Sequence, residues 1–235
     1  GLFVDKKVRA NSFATQHRVD AMLEAAVLAG GKADDGGIEV FWDKAAEEKW
    51  DSIAGQRSAG QTYVGINPGG DRANRRWDLG RYAQVAGTMV ERYGAKILIF
   101  GGPGEESIAL AIRQQMKHEA TDLAGKLTLD ELAYAISRLD LLITNDSGPM
   151  HIAAAVKTPQ VAIFGPENPE EFGPYASPNT YRVVRASVDC RPCGTVRCKH
   201  VSCLENIAVG DVMAACETVL AVPGHAGSRG GEPCT

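Results

Sequence analysis

Between residues 62 and 220, short apolar runs alternate with stretches of helical period, and this alternation leaves very few folds open to the chain. The apolar runs fall at 62–66, 96–100, 141–144 and 160–164, and 181–185 reads as an edge strand. Helical patterns lie between them at 80–93, stopped by Gly94, and at 105–117, 128–139 and 149–156. An amphipathic helix at 209–220 closes the series. Thr128 followed by Glu131 has the form of a capping box. Strands separated by helices pair in parallel, and strands that are apolar along their whole length need helices on both faces. The expected fold class is therefore α/β: a doubly wound parallel sheet, Rossmann-like, with no internal repeat.

The part ahead of residue 62 is different. A helix is expected from His17, with Val19, Met22, Leu23, Ala26 and Val27 at helical spacing and Gly30-Gly31 as its stop. Asp34-Asp35-Gly36-Gly37 reads as a turn and 38–41 as a short extended piece, after which Asp43 caps a second helix through Ile53, closed by Gly55. Two helices and one short strand are too little for a layered domain. Residues 1–58 thus read as the remnant of another domain, with the polar stretch 56–61 as linker. Residues 59–222 form the main domain, and the glycine-rich 223–235 a loose tail. The start at Gly1 shows neither an initiator Met nor a signal-peptide pattern, so a piece trimmed at its front is expected.

With 44% hydrophobic and 23% charged residues the chain has an ordinary globular composition, and its net charge of -4 lacks the basic surplus typical of nucleic-acid binders. No nucleic-acid partner is expected. No apolar run approaches the roughly 20 residues that cross a bilayer, so membrane contact is at most peripheral.

The chemistry collects where strands end. Leu141 to Asn145 runs into Asp146-Ser147-Gly148, and then Pro149 opens a helix of small apolar residues. Free amides at such a turn can take an anion on the helix's positive end, and Asp146 stands at the carboxyl end of the strand, where open α/β sheets bind ligands. A carboxylate beside a phosphate site suits a nucleotide sugar. The same residues also serve elsewhere as plain caps, so the stretch alone leaves both readings open. A second strand end, Asn67-Pro68-Gly69-Gly70 followed by Arg75-Arg76-Trp77, joins glycines that let a ligand approach to guanidinium forks suited to phosphate. A solvated loop anchored by Trp77 is its alternative. A third, Phe100-Gly101-Gly102-Pro103-Gly104-Glu105, fits a nucleoside site with Glu105 on ribose hydroxyls, or acids placed on a helix dipole. Phe164-Gly165-Pro166-Glu167-Asn168-Pro169 either lines the pocket or leaves the sheet.

Taken together, in order and spacing over roughly residues 62–215, these four blocks resemble glycosyltransferase family 9, the ADP-heptose:lipopolysaccharide heptosyltransferases. The resemblance implies the C-terminal domain of a glycosyltransferase of the B architecture, binding ADP-heptose or a similar nucleotide sugar. Asp146 would hold sugar hydroxyls, Ser147 and Gly148 the diphosphate, Glu105 the ribose, and backbone near Leu127 would face the adenine. Arg75 stands where the family usually has a phosphate-binding lysine, and His151 either steadies the diphosphate or is a wall residue. Asn67, Gly69, Arg76 and Gly102 complete the donor set. The family's general base and its lysine-containing glycine loop belong to a first domain, so no catalytic residue is named here. The implied reaction is inverting transfer of a heptose to the lipopolysaccharide core, in the cytoplasm or peripherally at the inner membrane. No cofactor is required: the chain contains no Asp-x-Asp, which fits cations and amides in the role of a divalent metal.

Cys190, Cys193, Cys198 and Cys203 lie within 14 residues, with His200 among them, a density that suits a structural zinc. Paired disulfides and an iron–sulfur cluster are the alternatives, the first opposed by a reducing cytosol. Against the transferase reading stand a nucleotide-sugar binding module without catalysis and, at greater distance, a nucleotide-sugar epimerase.

Overall fold

The computed structural model describes residues 16–33, 37–54, 57–193, 195, 198 and 200–222. At its centre is a six-stranded sheet of β1 (Tyr63–Asn67), β2 (Lys96–Ile99), β3 (Ala120–Asp122), β4 (Leu141–Asn145), β5 (Gln160–Ile163) and β6 (Tyr181–Val184). The strand order is β3-β2-β1-β4-β5-β6 and every pairing is parallel. The helices are α1 (Arg18–Leu28), α2 (Lys44–Ala54), α3 (Leu79–Tyr93), α4 (Glu106–Gln115), α5 (Leu129–Ser137), α6 (Gly148–Ala155), α7 (Pro169–Phe172), α8 (Ser202–Glu205) and α9 (Val209–Leu220). The expected doubly wound α/β fold is present.

Alternation along each strand builds a core on both faces. Val64 and Ile66, Ile97 and Ile99, and Leu141 and Ile143 point to one side, where α3, α4 and α9 supply Tyr82, Met89, Ile112, Val212 and Val219. Tyr63, Leu98 and Leu142 point to the other, against Trp50 of α2, Ile136 of α5 and Ala153 of α6. Each Val, Leu, Ile or Met among them contributes about 1.5–3 kcal/mol by leaving water. Gly65, in the middle of β1, is a packing requirement: a Cβ there would stand 2.5 Å from Leu139 Cδ1 and 2.9 Å from Phe100 Cε2.

Helix ends follow the sequence signals. The Asp78 side chain accepts from the Arg81 amide, Gly94 closes α3 in the left-handed conformation, and Thr128 with Glu131 forms its capping box. His17 caps α1, and Asp43 accepts from the Ala46 amide at the start of α2. Residues 38–41 form no strand, contrary to expectation, because among the described residues no strand pairs with them. Strand β3 is missed by pattern reading, since Ala-Thr-Asp carries almost no apolar signal and exists through its pairing with β2. The turn at 34–36, the stop at Gly55 and the tail at 223–235 lie outside the described residues.

Helix α2 packs on α5, and Trp50 meets Tyr63 edge-on at 6.0 Å. Arg57 donates to the carbonyls of Gln61 and Arg138 and to the Asp140 carboxylate, so the segment that leads into β1 is tied down. Asp140 is buried and also accepts from the Tyr63 amide at 2.7 Å. No described helix is long and apolar enough to cross a membrane. Truncating a partner so that a buried donor is left unpaired costs about 1–3 kcal/mol. Asp140→Ala should therefore lower unfolding stability by that amount in urea titration, whereas a loss under 0.5 kcal/mol would contradict this role of Asp140.

Candidate functional site

Strands β1 and β4 are neighbours, yet the chain moves away from them in opposite directions, through β2 and β3 on one side and β5 and β6 on the other. A crevice opens beyond the carboxyl ends of strands at such a switch point. Here it is a cleft of about 930 Å³, and Asn67, Arg75, Arg76, Gly102, Glu105, Leu127, Asp146, Ser147, Gly148 and His151 all line it. Gly69 sits directly behind the wall, where a Cβ would stand 2.2 Å from Glu105 Oε2. Every expected donor residue is thus at one place.

Asn145, buried at the end of β4, holds the two halves of the cleft together. Its amide donates to the carbonyls of Pro68 and Gly69 at 2.7 and 3.1 Å. Its carbonyl oxygen accepts from the Trp77 amide at 3.1 Å and the Tyr82 hydroxyl at 2.9 Å. All four hydrogen-bonding sites of the side chain are used, which leaves it one orientation. Trp77 is buried as well and donates to the Ile207 carbonyl at 3.2 Å, so the loop is both anchored by Trp77 and presented to the cleft by its arginines.

The charged groups are already engaged with one another. Arg75 Nη1 lies 3.6 Å from Asp146 Oδ2, and Arg75 Nη2 donates to Glu167 Oε1. Arg76 donates through Nε to the Gly70 carbonyl at 2.9 Å and lies 3.7 Å from Glu105. The Glu105 carboxylate staples two glycine loops, accepting from the Gly70 amide at 2.9 Å and the Gly102 amide at 2.8 Å. Ser147 opens α6 as its cap residue, but its hydroxyl turns to Asn67 at 3.0 Å and Thr144 at 3.2 Å, so it closes none of the helix's own amides. The positive end of α6 therefore faces the cleft without a side-chain cap, beside Asp146.

Burial raises the Asp146 carboxyl to about 6; Arg75 opposes the rise, while Glu167 and Asp71 add to it. Burial also pulls Arg75 down, but the hydrogen bond to Glu167 and the charges of Asp146, Glu167 and Asp71 outweigh it and the guanidinium ends raised. His151 is lowered by burial and by His17, which leaves it neutral near pH 7. It can offer a hydrogen bond here but not a charge. The opposite wall is apolar, with Phe100, Leu123, Leu127 and Leu132, suited to a flat aromatic ring.

Residues 2–202 match the family described as glycosyltransferase family 9 (heptosyltransferase). The chain belongs to this family. Among curated relatives, the lipooligosaccharide heptosyltransferase 2 of Campylobacter jejuni is 34% identical over 168 residues, which cover 68% of this chain and 52% of the relative. The chain spans about half the length of the curated relatives it matches first. Among solved structures, the family 9 glycosyltransferase of Veillonella parvula superposes with a TM-score of 0.77 at 28% identity, covering 93% of this chain and 64% of that one. The E. coli ADP-heptose lps heptosyltransferase II shares the fold, with a TM-score of 0.65 at 23% identity over 77% of this chain and 53% of that one.

Cys190, Cys193, Cys198 and Cys203 of this family 9 chain gather near the loop after β6: burial raises the Cys203 thiol, Arg191 opposes the rise, and the other three cysteines add to it. Cys190 and Cys193 are exposed on the loop after β6, Cys198 is half-buried, and Cys203 is turned by α8 into the core; all four are free thiols. Among the described residues no three His, Cys, Asp or Glu side chains come together as metal ligands. The paired-disulfide alternative is not formed either. Pattern reading also assigned no role to Asn145, whose signal is a polar residue closing an apolar strand. It left Glu167 undecided between pocket and exit.

Because the folded chain holds the Asp146 proton up to about pH 6 and an unfolded carboxyl releases it near 4, the folded state binds that proton more tightly. This contribution to stability is complete below about pH 4 and is lost as the pH rises through 6. Asp146→Asn should therefore exceed the native chain by about 1–3 kcal/mol in urea at pH 7, with the gap closing toward pH 4. A variant no more stable at pH 7 would contradict the burial cost.

Proposed function

We propose that this chain is the donor-binding half of an inverting heptosyltransferase that moves a heptose from an ADP-activated donor to the lipopolysaccharide core. The observation that carries the reading is the meeting of Arg75 and Asp146, 3.6 Å apart, beside the uncapped start of α6. A pyrophosphate lies at that helix end, against the Ser147 and Gly148 amides and the Arg75 guanidinium, which together stabilise the charge that develops as the sugar leaves. Asp146 accepts hydroxyls of the sugar ring. The adenine rests on the apolar wall near Leu127. Glu105 keeps its backbone bonds and uses remaining lone pairs for the ribose, since a carboxylate has about four acceptor sites. Asn67 and Gly69 with Gly102 shape the loops that approach the ligand, and Arg76 holds them.

Residues 1–58 belong with the acceptor-side domain, and 59–222 form the donor domain. The base that deprotonates the acceptor comes from outside this cleft, because a base must reach the acceptor hydroxyl. Transfer takes place in the cytoplasm or at the inner membrane's inner face. Membership of family 9 and identity to a lipooligosaccharide heptosyltransferase over about half of that protein support the reading. A nucleotide-sugar binding module without catalysis is the second reading, favoured by the engagement of two cleft carboxylates, Asp146 and Glu105, in contacts within the fold.

Titration calorimetry with ADP-heptose and with ADP separates the roles. Asp146→Ala should weaken ADP-heptose about tenfold or more and leave ADP within about twofold, as expected when a charge-assisted hydrogen bond to the sugar is lost. Equal loss for both ligands would remove the sugar role of Asp146.

A further inference from the structure

Glu167 stands on the turn that follows β5, and that turn has little freedom. A Cβ at Gly165 would meet the Asn74 carbonyl oxygen at 3.1 Å and Leu204 Cγ at 3.2 Å, so the chain passes very close to its neighbours. The Pro166 carbonyl accepts from the Cys193 amide at 3.0 Å, and the Glu167 carbonyl accepts from Arg191 Nη2 at 3.1 Å. One residue further on, Asn168 caps α7 by accepting from the Glu170 amide at 3.1 Å. The backbone carrying this carboxylate is held from both sides.

Its side chain, only 12% exposed, reaches two guanidinium groups. Oε1 accepts from Arg75 Nη2 and lies 3.5 Å from Arg72 Nη1. Glu167 is absent from the cleft wall that Arg75 lines, so it meets the guanidinium from behind. Arg75 otherwise rests on a short 3₁₀ turn, Ala73–Arg75, and its Nε is buried without a partner. A long side chain on such a turn has many rotamers, and fixing one of them costs conformational entropy. A charge-assisted bond made before the ligand arrives removes that cost from binding.

We infer that Glu167 is a positioning residue for the nucleotide site: it holds the Arg75 guanidinium against Asp146, aimed at the pyrophosphate. Arg72 shares the carboxylate, and Asp71 lies 3.7 Å from Arg72, so the second arginine stays neutralised away from the ligand. Glu167 touches no ligand and acts only through Arg75. The inference rests on the donor-site reading and adds a residue to it.

A double-mutant cycle read by ADP titration tests this. Glu167→Ala should weaken ADP about tenfold in the native background and have no further effect in an Arg75→Ala background, because the residue it positions is gone. Glu167→Gln, which keeps an acceptor but loses the charge, should fall between the two, and serves alone if the alanine variant does not fold. A loss of similar size in both backgrounds would show a merely structural role and overturn the inference. Unchanged or tighter ADP binding on Glu167→Ala would overturn it too, by showing that Glu167 is indifferent to the ligand or competes with it. Failure of the native chain to bind ADP would instead overturn the donor-site reading, and this inference with it.

Discussion

One amide side chain sets the geometry on which the rest depends. Asn145 ends the buried strand β4 and ties it to the carbonyls of Pro68 and Gly69, to the Trp77 amide and to the Tyr82 hydroxyl. Those bonds join the exits of β1 and β4, the two strands between which the sheet reverses its winding. The loop bearing Arg75 and the turn bearing Asp146 are thereby brought to one edge. In a buried setting such bonds are hard to exchange for water, so the arrangement is rigid before any ligand arrives.

Rigidity at that edge has an electrostatic cost, visible at Asp146. Burial raises its carboxyl to about 6, and the neighbouring Glu167 adds to the rise. Oδ2 of Asp146 is buried with no hydrogen-bond partner, although the Arg75 guanidinium lies within ion-pair distance. In the proposed function this desolvated acceptor is the one that takes a ligand hydroxyl. A fold built only for stability would have satisfied it. With His151 lowered by burial and by His17, the cations that line the cleft are Arg75 and Arg76, beside the helix amides.

Much of this was legible in the sequence, and for identifiable reasons. Apolar strands with alternating helices specify a parallel sheet, and the polar blocks that interrupt them all fall at carboxyl ends of strands, where the fold gathers them. Asp146, Arg75 and Glu105 line one cleft because each follows an apolar strand. What stayed hidden depends on contacts between distant segments. Nothing local to Glu167 says that its carboxylate meets a guanidinium 92 positions earlier. Strand β3 exists by pairing rather than by pattern. The cysteines are dense along the chain, and their unequal exposure is a matter of tertiary packing: α8 buries Cys203 while Cys190 and Cys193 stay on the surface.

The central claim is that Arg75 and the start of α6 receive a pyrophosphate. Affinities of adenosine, AMP and ADP for the native chain and for Arg75→Ala test it most directly. The account predicts that the variant loses about tenfold in ADP affinity, less at high salt, and nothing for adenosine. Equal loss for all three ligands, or no loss for ADP, would contradict it.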